Sequence, residues 1–134
     1  MTKLERLRQK ILSYAFADEE WVNLPKIEED IDRLLSDGLH IFPDIEYVVD
    51  ASMQGRPGQC HLNSAGLWDA NSDDEDVVLW TGYALANNVW VQHSWVTHEE
   101  SGVLYETTDE PRDAYFGFPL THEEARAFYW EQTI

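Results

Sequence analysis

The sequence predicts an α+β fold of one domain, and three observations carry that reading. Apolar residues near both ends recur at three and four positions, the spacing of an amphipathic helix. From Val77 to Thr108 the chain turns to runs rich in Val, Trp and Tyr separated by short polar turns, the mark of consecutive strands. Between these regions stands the only cysteine, Cys60, where a loop containing Pro57 and Gly58 gives way to a short helical pattern. The expected architecture is N-terminal helices, a central cysteine-bearing helix packed on a small antiparallel sheet, and a C-terminal helix. The 134 residues suffice for one core, so residues 1–134 are read as a single domain. Within it lie a helical part over 1–40, a chemistry-bearing core over 45–118 and a closing helix over 121–132.

Each element has its own signal. Leu4, Leu7, Ile11, Leu12 and Ala15 predict a helix from about Thr2 to Phe16, with Thr2 and Glu5 as a capping box. Asp18–Glu20 break that pattern. A second helix is expected to start near Pro25, bury Ile27, Ile31, Leu34 and Leu35, and stop at Gly38. Glu28, Glu29 and Asp30 suit the positive end of its dipole and read as a solvated face. Ile45–Asp50 is a short strand-like run. Leu62, Ala65, Gly66, Leu67 and Trp68 give the cysteine helix its apolar side. Asn71–Asp76 reads as an exposed turn, since it lacks the central glycine and closing glutamate of a calcium loop.

Val77–Leu85, the Asn87–Asn88 turn, Val89–Val96, a turn at Glu99–Gly102 and Val103–Thr108 make an antiparallel meander. Tyr115–Phe118 is expected as a short edge strand, and Thr121 with Glu124 caps a final helix carrying Ala125, Phe128 and Tyr129. Trp80, Trp90, Trp95 and Tyr105 read as core rather than as a substrate platform. Asp109, Glu110 and Asp113, near Arg112, read as loop charges.

Charge narrows the partners. Nine basic residues against 26 acidic give −17, which argues against nucleic acid and against anionic membranes. The charge is uneven: 6 basic and 9 acidic residues in 1–40, 3 and 17 in 41–134. Solubility accounts for it, and so does a basic partner. A single cysteine excludes an internal disulfide and a multi-cysteine zinc knuckle. The opening MTKLERLRQK is charged throughout and no apolar run approaches membrane-spanning length, so the expected location is cytoplasmic.

The chemistry centres on Cys60. A cysteine in the first turn of a helix meets the positive end of the backbone dipole and unpaired N–H groups, which favour the nucleophilic thiolate. A hairpin turn centred near Glu100 sets His93 nearly opposite Glu106 on the next strand. A carboxylate beside an imidazole orients the ring and stabilises its charged form. With the cysteine helix packed on that sheet face, Cys60, His93 and Glu106 become nucleophile, base and orienting acid. His61 is kept as a candidate substrate contact on the exposed first turn.

In this order the chain resembles the papain-like cysteine hydrolases, above all their compact transglutaminase-like and NlpC/P60-like branches, over roughly residues 54–108. Gln54–Gly55 precedes Cys60 by the same six positions as the oxyanion-hole glutamine of papain-type enzymes, and Gly58–Gln59–Cys60 echoes their Gly–Ser–Cys. His61 and Glu106 stand where papain has Trp and Asn. The resemblance implies a papain-like core, with Gln54 and the Cys60 N–H cradling a developing oxyanion. It also implies action on an amide or ester bond of a peptide, protein or small amide substrate, with no cofactor and no metal. Hydrolysis, deamidation and acyl transfer share this machinery.

Two other chemistries stay open. Cys60, His61, His93, His98 and Glu106 include zinc-ligand types, although adjacent Cys60 and His61 suit a single ion poorly. The second is a non-enzymatic acidic protein that masks a basic surface on its partner. Cys60 as a small core residue, His93 as a hydrogen-bonded core imidazole, Glu106 as a solvent-facing strand residue and Gln54 as loop support are the plain readings of the same side chains.

Overall fold

Asn87 and Asn88 both adopt left-handed backbone, φ 52° and 64°, and close the two-residue hairpin around which the sheet is built. The hairpin joins β4 (Val77–Ala86) to β5 (Val89–His98), as the Asn–Asn signal predicts. The computed structural model describes residues 2–14, 21–22, 28–43, 45–108 and 111–133, with the backbone alone at 21–22 and 28–30. The remaining strands are β1 (Trp21–Val22), β2 (Leu39–Ile41), β3 (Val48–Asp50), β6 (Val103–Tyr105) and β7 (Ala114–Pro119). The helices are α1 (Lys3–Leu12), α2 (Glu28–Asp37), α3 (Cys60–Ala70) and α4 (His122–Thr133).

The class is α+β, with Cys60 opening the central helix. The sheet, however, is neither small nor purely antiparallel. Its strands run in the order β2-β7-β4-β5-β6-β3, with β1 also on β5, and both β3–β6 and β1–β5 pair in parallel. Two- and three-residue strands such as β1 and β2 are too short to show a period of two, so sequence pattern misses them. Because β2 pairs outside it, β7 is an interior strand rather than an edge, and residues 114–118 are all buried.

Alternation along the strands divides the core in two. One face carries Tyr83, Leu85, Trp90, Phe116 and Phe118 against Leu7, Ile11, Ile31 and Leu34 of α1 and α2. Further along it, Leu79 and Val96 meet Ala65 and Trp68 of α3 and Ala125 of α4. The opposite, curled face encloses Trp80, Ala84, Trp95, Leu104 and Tyr115, with Trp80 and Trp95 stacked 6.1 Å apart. The four aromatic residues expected in the core bear this out in large part: Trp80, Trp90 and Trp95 are buried and Tyr105 is half-buried.

Both capping boxes form. Thr2 Oγ1 accepts from Glu5 N–H at 3.1 Å, and Thr121 Oγ1 from Glu124 N–H at 3.2 Å, with each glutamate bonding back. The first helix ends at Leu12 rather than Phe16, because Ser13 turns its N–H and hydroxyl onto the last carbonyls. Ala15, Phe16, Asp18–Glu20, Pro25, Ile27, Asp109 and Glu110 lie outside the described residues. Among those described, no helix is long and apolar enough to cross a membrane.

Gly82 and Gly117 face each other across β4 and β7. A Cβ on Gly117 would strike the Thr81 carbonyl and the Trp95 ring, and one on Gly82 would strike the Phe116–Gly117 backbone. The two strands approach this closely only because neither residue has a side chain. Gly117→Ala is expected to cost about 1–3 kcal/mol, the usual penalty for overpacking. Urea unfolding should show a lower midpoint with an unchanged slope; an unchanged midpoint contradicts the close approach.

Candidate active site

The site forms where the sheet runs out of strands. On the edge of β5 away from β4, β1 pairs with residues 89–90 and β6 with residues 96–98, so among the described strands none covers the stretch between. A bare strand edge leaves backbone groups that need partners. The first turn of α3 supplies them. Ser94 N–H donates to the Cys60 sulfur, and Ser64 Oγ donates to the Ser94 carbonyl at 3.1 Å. Cys60 and Ser64 are four residues apart, one above the other on the helix, which is why a single strand residue receives both.

The loop ahead of Cys60 is pinned by Asn63. Its side-chain amide accepts from Arg56 N–H (3.1 Å) and donates to the carbonyls of Arg56 (2.8 Å) and Thr107 (3.2 Å). Gly55 N–H also donates to the Thr107 carbonyl at 2.8 Å, and a Cβ on Gly55 would collide with the Asn63 amide. Gly58 turns the chain at φ +72°. Gln54 belongs to this loop and is exposed, next to the Gly55 that bonds Thr107.

His93 lies on the curled face between Trp95 and Tyr115, each ring 6.3 Å away. It is 2 % exposed and Glu106 is 0 % exposed. His93 Nε2 sits 2.7 and 3.0 Å from the two Glu106 oxygens, leaving Nδ1 as the ring nitrogen for Cys60, to which the imidazole is hydrogen-bonded. Glu106 also accepts from Tyr115 OH (3.0 Å), Thr108 N–H (3.3 Å) and Thr108 Oγ1 (3.1 Å), and Arg112 Nε stands 3.6 Å off as an ion pair.

The strand register differs from the expectation by about two residues. Tyr105 pairs with Val96, so Glu106, one residue beyond β6, is diagonal to His93 rather than opposite it. There its N–H bonds the Asp50 carbonyl while its side chain turns back to the ring. Cys60, His93 and Glu106 are thus brought into one chain of contacts.

The charges follow from these contacts. Burial raises the Cys60 pKa and the charge of Glu106 adds to that, but the His93 hydrogen bond, its charge and the Ser94 N–H outweigh both and hold the thiol below its ordinary value. Burial would lower His93, yet its bonds to Cys60 and Glu106, and their charges, raise it. Burial would raise Glu106, but His93, Thr108 and Tyr115 pull it below the usual carboxyl range. All three shifts favour one state: thiolate, imidazolium and carboxylate together.

Two neighbouring features complete the picture. His61 Nδ1 lies 2.5 Å from Ser94 Oγ, and its ring forms part of the wall of a cavity of about 540 Å³ between the sheet, α2 and α4. Cys60 and His93 adjoin this cavity through their chain neighbours, His61 and Gln92, without lining it. At the other end of the sheet, Asn71–Asp76 forms the expected turn, in which Asp74, Asp76 and His98 have donor atoms within 4.8 Å of one another. His98 already bonds Asp74 (3.1 Å) and Ser101 (2.7 Å), so it braces the turn and stands apart from the Cys60 contacts.

Sequence reasoning missed Ser64, Asn63, Thr107 and Tyr115. Each meets a group on another element or loop, which no local pattern announces. Comparison with protein-family models, with curated proteins and with solved structures finds no match.

Glu106→Ala is expected to cost about 3–5 kcal/mol at neutral pH, the range for stripping one partner from a buried ion pair. Glu106, depressed in the folded protein, contributes in full above the unfolded value of about 4.3 and loses its contribution as pH falls through the lower folded value. His93, raised, contributes in full below about 6.5 and loses its contribution as pH rises through the higher folded value. Urea unfolding of both proteins across pH should therefore show the penalty largest between about pH 4.3 and 6.5 and smaller toward either extreme. A penalty independent of pH contradicts the charged pair.

Proposed function

We propose that the protein is a thiol hydrolase or acyl-transferase acting on an amide or ester bond. The observation that carries this reading is the unbroken chain from the Glu106 carboxylate through His93 to the Cys60 sulfur. The order of those residues along the chain, which resembles that of papain-like cysteine hydrolases, supports it as well.

In the reaction, the thiol proton passes to His93 Nδ1, and the thiolate attacks the substrate carbonyl carbon. A C–S bond forms as the carbonyl π pair moves onto oxygen. The oxyanion is met by the Cys60 N–H, which the first turn of α3 leaves unpaired within the helix, and by the side chain of Gln54. As the tetrahedral adduct collapses, His93 returns the proton to the departing amine or alcohol and a thioester remains. Water, or an acceptor amine, then gives up a proton to His93 and attacks the thioester, and Cys60 leaves as thiolate. Glu106 keeps the ring oriented and its charged form stable throughout. The substrate is a peptide, protein or small amide.

One observation favours a second reading. Residues 41–134 hold 17 acidic against 3 basic residues, which suits a protein that masks a basic partner surface without catalysis.

The discriminating experiment is reaction with p-nitrophenyl acetate. The hydrolase reading expects a burst of nitrophenolate and an acetyl group on Cys60 by mass spectrometry. Both should be absent in Cys60→Ala, and acylation should slow by about 10²–10⁴-fold in His93→Ala. A wild-type protein that reacts no faster than Cys60→Ala refutes it. Binding of a basic protein that survives Cys60→Ala but not neutralisation of acidic residues then selects the second reading.

A further inference from the structure

His61 follows the nucleophile in sequence but takes no part in the chemistry proposed above, and its contact with Ser94 bears on its tautomer. Ser94 Oγ donates its one proton to Thr81 Oγ1 at 3.1 Å. The same oxygen lies 2.5 Å from His61 Nδ1. A hydroxyl whose proton is already engaged can only accept a further bond, so Nδ1 carries the hydrogen and donates it. In a neutral imidazole the other nitrogen, Nε2, then holds a lone pair. Burial lowers the His61 pKa and the charge of His93 lowers it further, which keeps the ring neutral at neutral pH. Phe128 stands edge-on to the ring, 5.8 Å between centroids at 77°, so the imidazole is braced on two sides.

Among the described residues His61 has no hydrogen-bond partner besides Ser94, and it lines the cavity of about 540 Å³. The other walls include Leu34, Phe118, Leu120 and Phe128, which suit an apolar body. The charged groups there are Arg33, held by Glu124 at 2.6 and 3.1 Å, and Glu131, which is exposed. A cationic ligand would approach the His93 imidazolium, whose field already reaches His61. A ligand with only acceptors would set lone pair against lone pair.

The geometry points to His61 Nε2 as a hydrogen-bond acceptor in the cavity wall that selects an occupant with an apolar body and an uncharged N–H donor of the primary carboxamide class. The role of this cavity as a substrate pocket rests on the hydrolase reading; the binding itself does not.

Three probes of one shape separate the alternatives: benzamide, methyl benzoate and benzamidinium. Each is titrated into the full-length protein carrying ¹⁵N-labelled histidine and followed by long-range ¹⁵N–¹H spectra. Without a probe, Nδ1 of His61 should be protonated and Nε2 unprotonated. Benzamide should bind about three- to tenfold more tightly than methyl benzoate, the yield of one net hydrogen bond, and should shift the Nε2 signal. In His61→Phe the preference should vanish. A His61 protonated on Nε2, equal affinity for amide and ester, or tightest binding by benzamidinium would each overturn the assignment, and none of the three needs a variant. Acylation of Cys60 with no amide preference refutes this inference alone. An amide preference without acylation supports it and refutes only the hydrolase reading.

Discussion

A carboxylate with no exposed surface has to be neutralised where it lies, and Glu106 meets that demand with groups from several parts of the chain. His93 comes from β5, Tyr115 from β7, and Thr108 and Arg112 from the segment between β6 and β7. The curled face of the sheet closes around this one charge. The same contact keeps the His93 imidazole protonated to a higher pH than usual, and the imidazolium in turn holds down the thiol. Burial opposes all three ionisations, and the contacts among the three groups outweigh it.

The second constraint is the unfinished edge of β5. A further strand laid along residues 91–95 would satisfy the backbone but would leave no opening for a nucleophile. Here the start of α3 takes that place, with a sulfur and a hydroxyl bonding Ser94 where a strand would have used its own amide and carbonyl. The arrangement explains how Cys60 can meet a histidine on the far side of the sheet from the body of α3. It reaches the ring past the strand edge, not through the sheet. It also leaves the thiol half-buried rather than sealed in the core.

Much of this was legible in the chain. The Asn87–Asn88 hairpin, both capping boxes and the helix opening at Cys60 depend on local chemistry and appear where their residues stand. The His93–Glu106 contact was legible because a short turn fixes a register to within about two residues, and long side chains absorb an error of that size. The parallel pairing of β3 with β6 and the interior position of β7 were not legible, since both depend on which distant segment arrives alongside. Asn63 and Ser64 were hidden for the same reason: their partners, Thr107 and Ser94, lie more than 25 residues away. The sequence puts His61 on an exposed first turn, yet Ser94 and Phe128 hold it half-buried against the cavity.

The charge state of Cys60 depends on Glu106 through His93. The most direct measurement is the rate of Cys60 alkylation by iodoacetamide as a function of pH, in the wild-type protein and in Glu106→Gln. The wild-type profile should rise with an inflection well below the free-thiol value of about 8.5, and that inflection should move upward when the carboxylate is removed. A single inflection at or above the free-thiol value, identical in the two proteins, would contradict the account.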